Sequence, residues 1–81
     1  MPQVYPVPAR DVLTISTIGV PRSTGAITIQ LYNHAGQIIK SDNMQPGDVH
    51  SLQVSTLVKG QYILRLIGKN GFASSHTVLV Q

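Results

Sequence analysis

Eighty-one residues are about half of a typical domain, which excludes two independent cores and leaves a single small fold of modest stability. The apolar share of 42% is ordinary, but only 11% of residues are charged and Glu is absent, so Ser, Thr, Gln, Asn and backbone must cover the surface. Zero Cys excludes disulfide scaffolds, thiolate zinc sites and cysteine nucleophiles, while six Lys plus Arg against three Asp and a pI near 9.7 permit attraction to anionic partners without naming one.

Along the chain, Pro2, Pro6, Pro8, Gly19, Pro21, Gly25, Gly36, Pro46-Gly47, Gly60, Gly68 and Asn70-Gly71 interrupt every helix-length window. No apolar run approaches the roughly 18 residues of a membrane-spanning helix, and no basic-then-apolar signal pattern opens the sequence. Between the breaks, β-branched and aliphatic residues alternate with polar ones, as in Val12-Leu13-Thr14-Ile15-Ser16 and Ile27-Thr28-Ile29-Gln30-Leu31-Tyr32. That period of two predicts strands with one buried face, so Ile27, Ile29 and Leu31 should point inward. Strands are expected over 3–5, 11–17, 26–33, 36–42, 48–54, 61–68 and 72–80. Asn33-His34-Ala35-Gly36 suits a tight hairpin with Gly36 in the left-handed conformation, Pro46-Gly47 suits a type II turn, and Lys69-Asn70-Gly71 is the strongest short hairpin signal. Short antiparallel strands at this spacing predict an all-β fold, an immunoglobulin-like Greek-key β-sandwich of about seven strands.

The segment from Leu52 to Leu64 sharpens the topology. A strand ends near Val54, an apolar corner follows with Leu57 as a plug for the end of the core, and Tyr62 opens the next strand. This is the layout of a tyrosine corner, whose hydroxyl bonds back to backbone a few residues upstream and pins a crossover between sheets. On that next strand Tyr62, Leu64 and Leu66 share one face, while Ile63, Arg65 and Ile67 share the other, which Arg65 marks as wet.

No residue pattern carries catalytic chemistry. Asp11, Asp42 and Asp48 stand beside expected turns or strand ends, where Asp serves local hydrogen bonding better than a carboxylate dyad. His34, His50 and His76 lack the spacing of a zinc site. The serines form no nucleophile elbow, and the Gly-rich segments 19–25 and 68–71 lead into no helix that could complete a phosphate cradle. Scattered basic residues and only four aromatics, Tyr5, Tyr32, Tyr62 and Phe72, argue against a nucleic-acid surface. The expectation is a protein that is not an enzyme and takes no metal or other cofactor.

Four pieces in order carry a resemblance. They are Val4-Tyr5-Pro6-Val7-Pro8-Ala9-Arg10-Asp11-Val12-Leu13-Thr14-Ile15; Ile29-Gln30-Leu31-Tyr32-Asn33 followed by Gly36-Gln37; Leu52-Gln53-Val54-Ser55-Thr56-Leu57 with Gly60-Gln61-Tyr62; and Gly71 through Gln81. Together they resemble the C-terminal sorting domain of proteins exported by the type IX (Por) secretion system of Bacteroidetes. Val7 replaces the Asn usual between the two prolines, and His76 stands about where a Lys usually precedes the last apolar residues. The resemblance implies a non-catalytic address label on a cargo protein, which travels through the periplasm and the outer-membrane translocon to the cell surface or beyond. An outer-membrane shuttle protein and a sortase are the implied partners. Met1 is read as an artificial start, so residues 1–81 are expected to be one sorting module at the end of a larger protein.

The expected recognition determinants are Pro6 and Pro8, the corner residues Leu57, Lys59, Gly60 and Tyr62, and the final strand residues Thr77, Val78, Leu79, Val80 and Gln81. With few charges to block sheet edges, partner recognition by strand addition, and self-association or strand swapping of the isolated domain, are expected. The alternatives are a docking domain retained by a component of the secretion system, and a surface adhesin or carbohydrate-binding sandwich. Deleting the last five residues should separate a signal, which loses export, from an adhesin, which does not.

Overall fold

A computed structural model describes residues 2–5 and 10–81. Its strands are β1 (Gln3–Tyr5), β2 (Val12–Ser16), β3 (Ile27–Tyr32), β4 (Ile38–Met44), β5 (Val49–Gln53), β6 (Gly60–Gly68) and β7 (Ala73–Val80). All seven expected strands form, with ends shifted by at most two residues. Regular helix among the described residues is limited to one 3-10 turn, Arg22–Thr24, which fits inside the Pro- and Gly-bounded loop because it needs only three residues.

The strands form two antiparallel sheets, one ordered β1-β2-β5 and the other β4-β3-β6-β7. The chain crosses between sheets after β2, β4 and β5, and β5 and β6 settle beside β2 and β3. This is the Greek-key, immunoglobulin-like sandwich expected from the strand spacing. The inward faces meet in one core. Leu13, Ile15, Leu52 and Val54 come from the first sheet and its exit, and Ile27, Ile29, Leu31, Met44, Leu64, Leu66, Val78 and Val80 from the second. Fully burying each such side chain is worth about 1.5–3 kcal/mol, which is what holds two small sheets together.

The turns follow their chemistry. The Asn33 Oδ1 accepts the backbone N–H of Ala35 at 2.9 Å and of Gln37 at 3.0 Å, closing the β3–β4 hairpin. The Asp48 N–H donates to the Gln45 carbonyl at 3.1 Å across Pro46-Gly47, and Gly47 has φ 88°, as a type II turn demands. The β6–β7 hairpin closes from the Gly68 N–H to the Phe72 carbonyl at 2.8 Å. Its loop uses three residues, with Gly71 at φ 90° and no positive φ at Asn70, so only the glycine takes the left-handed position.

Thr17, just past β2, is fully buried and joins the sheets by polar contacts. Its Oγ1 accepts the Gly47 N–H at 3.0 Å and lies 3.0 Å from the Asp48 carbonyl and 3.2 Å from that of Gln45. Its backbone N–H also donates to Asp48 at 3.0 Å.

Asp42 departs from its expected place at a strand end. β4 continues to Met44, so Asp42 lies within the strand, where its Oδ2 stands 3.0 Å from His50 Nε2 on β5. The contact spans the two sheets along the side where β4 and β5 are the outer strands. His50 Nε2 is buried but not aligned for a good hydrogen bond, so the pair is a close contact of opposite-tending groups rather than a well-formed bridge.

Candidate functional site

The β5–β6 crossover builds the corner. The Tyr62 hydroxyl donates to the Val58 carbonyl, and the Leu57 N–H donates to the Val54 carbonyl at 3.1 Å. Tyr62 is buried, and Leu57 packs partly buried against the core, as the plug expected from sequence. Holding Val58 by its carbonyl leaves its side chain 80% exposed beside the exposed Lys59, because an ordered corner whose polar groups are satisfied can present an apolar tip.

Antiparallel pairing then brings the corner to the end of β7. Gly60 lies opposite Val80, Gln61 opposite Leu79 and Tyr62 opposite Val78. Lys59, Gly60, Leu79, Val80 and Gln81, together with Arg10 at the entry to β2, line one open concavity of about 720 Å³. Two stretches some twenty residues apart in sequence are therefore one surface. Arg10 belongs to it although the sequence shows it only as part of the opening motif, since nothing local shows that the entry to β2 lies beside the corner.

The expected determinants divide by burial. Lys59, Thr77, Leu79 and Gln81 are exposed and can meet a partner. Tyr62, Val78 and Val80 are 6%, 0% and 2% exposed and act through the core. Gly60 is partly buried where β6 begins. Pro6 and Pro8 lie outside the described residues.

Concerning chemistry, His34, His50 and His76 stand on the β3–β4 hairpin, β5 and β7, and no group of three potential metal ligands gathers among the described residues. On β7, Ser74 Oγ and His76 Nε2 are 2.7 Å apart. Burial holds the His76 imidazole below its ordinary pKa. The pair has no orienting carboxylate, since the one acid–imidazole contact among the described residues is that of Asp42 with His50. A serine nucleophile needs that third group to fix the imidazole's tautomer, so the arrangement is a structural hydrogen bond within the strand.

At one end of the sandwich a corner, a strand terminus and two cations meet. No curated protein matches the chain. A family model described as "Secretion system C-terminal sorting domain" matches residues 3–81, spanning all seven strands. The chain thus belongs to the C-terminal sorting domain family of the type IX secretion system, whose members are export signals and, in general, not catalysts.

Proposed function

We propose that this domain is the terminal module of a larger exported protein, and that the concavity between the corner and the end of β7 is the surface the export machinery reads. The cargo passes from the periplasm through the outer-membrane translocon, the shuttle protein engages the folded domain, and the sortase acts on the exported product. One observation supports this placement above others. The sequence segments that carry the resemblance at the corner and at the chain's last residues converge on one concavity, flanked by Arg10 and Lys59, which give it a cationic rim suited to a partner surface of opposite charge.

The test is a reporter fused to this domain in a bacterium with a type IX system. Replacing Arg10 and Lys59 together by Asp changes exposed side chains only, so the fold should persist while the reporter accumulates in the periplasm. Export at the parental level would count against the placement. Removing residues 77–81 is a poorer test than the sequence indicates, because Val78 and Val80 are core residues and their loss unfolds the module as well. The mass of the exported reporter separates a cleaved signal from a retained docking domain. An adhesin or carbohydrate-binding module would be exported equally well with or without the substitutions.

A further inference from the structure

The outer face of the four-stranded sheet carries a second concavity, which the export reading does not use. Its sequence signal is the wet face of β6, where Ile63 and Arg65 both point outward. Antiparallel register sets Tyr32 of β3 between Ile38 of β4 and Ile63 of β6, and sets Gln30 opposite Arg65. Ile38 and Ile63 are 52% and 39% exposed, so this row is apolar surface in water rather than core. The Tyr32 hydroxyl donates to Gln30 Oε1 at 2.8 Å, two residues back on the same face, which runs the phenol ring along the sheet as a floor. Tyr32, Ile63 and Arg65, with Asn33, His34 and Gly36 of the β3–β4 hairpin, line an open concavity of about 350 Å³. That volume falls within the roughly 300–1,000 Å³ of small-ligand sites.

Charge and backbone together select the ligand. Arg65 is exposed and makes no ion pair among the described residues. The chain has no Glu, and its three Asp side chains are placed elsewhere: Asp11 and Asp48 at the entries to β2 and β5, Asp42 against His50. The guanidinium is therefore open to an outside carboxylate, which it can take through two parallel N–H···O bonds. The His34 imidazole and the Gln30 amide add N–H donors nearby. β3 and β6 are each paired on both sides, so an extended peptide finds no strand edge here to join. Recognition is left to side chains, an aromatic and aliphatic floor with a cation at its rim. We propose that this concavity binds an acidic saccharide, a hexuronate residue whose C–H face stacks on Tyr32 and Ile63 and whose carboxylate meets Arg65. At the per-atom efficiency of ordinary small ligands, one hexuronate should bind with a dissociation constant of about 1 mM.

The inference does not depend on the export reading, which rests on Arg10 and Lys59 at the other concavity. Titrating sodium glucuronate into the isotope-labelled chain should move the amide resonances of residues 32–36 and 63–65 along one saturating curve. Glucose, which lacks the carboxylate, and sodium acetate, which lacks the ring, should each bind about tenfold more weakly or worse. Arg65→Gln and Tyr32→Leu should each weaken glucuronate by about tenfold or more. Lys69→Gln removes an exposed cation from the β6–β7 hairpin and should leave binding unaltered. The proposal is overturned by the absence of saturable shifts at these residues, by acetate binding as tightly as glucuronate, or by equal weakening from Lys69→Gln. Tighter binding of a short polyglutamate peptide would also overturn it, by making the occupant a protein segment. Where Tyr32→Leu fails to fold, the wild-type titrations and Arg65→Gln, a change at an exposed side chain, decide the matter.

Discussion

Thr17 shows how much one buried hydroxyl can hold. It satisfies the turn that carries the chain from β4 to β5 and does so from the end of β2, so a single side chain fixes the spacing of both sheets. Replacing it by Val keeps the shape and removes the hydroxyl from the Gly47 N–H and the Gln45 and Asp48 carbonyls, each of which keeps a backbone partner, so Thr17→Val should cost about 0.5–1.5 kcal/mol in urea denaturation. Gly68 is constrained differently. A methyl group there would stand 2.5 Å from Thr24 Cγ2 and 3.0 Å from Phe72 Cβ, and the neighbouring Thr24 carbonyl already accepts the Lys69 N–H at 3.1 Å. Gly68→Ala should therefore lower stability by about 1–3 kcal/mol through overpacking, read as a shift in the denaturation midpoint with an unchanged slope. Neither constraint was legible in sequence. Thr17 reads as an ordinary strand-end residue and Gly68 as turn punctuation, since both depend on residues more than 25 positions away or on a loop packed from the side.

At the scale of the element, β7 carries several of the proposed recognition residues and an imidazole whose titration burial shifts. His76 is half-buried on its inner face, and desolvation of the imidazolium lowers its pKa from the ordinary value of 6.5. Below that value the unfolded chain binds a proton that the folded chain still refuses. Stability is thus greatest above it, falls as pH drops through the window beneath it, and levels off once folded His76 itself protonates. Denaturation midpoints measured from about pH 7.5 down to about pH 5.5 should decline in the parent and decline less in His76→Gln. β6 and the corner, by contrast, were readable in advance. The alternation of Tyr62, Leu64 and Leu66 against Ile63, Arg65 and Ile67 assigns the faces without knowledge of neighbours, and the hydroxyl of Tyr62 finds its carbonyl within four residues.

For the whole molecule, the proposed function rests on an open surface rather than a closed cleft. The paired Arg10→Asp and Lys59→Asp substitutions should abolish export of a fused reporter while the thermal midpoint of the purified domain stays within about 2 °C of the parent, because exposed charges contribute little to stability. Sequence by itself determined the strand set, the turn chemistry, the inward faces, the corner and the family. Each of these is written in local periodicity, in glycine and proline placement, or in motifs that keep their order along the chain. Only the tertiary structure decided which strands lie at sheet edges, that Arg10 joins the corner and the chain's last residues in one concavity, that Asp42 meets His50, and that Val78 and Val80 belong to the core while Leu79 does not meet it. Those facts depend on how two sheets stack and cross, and stacking brings together residues between which the intervening sequence carries no signal.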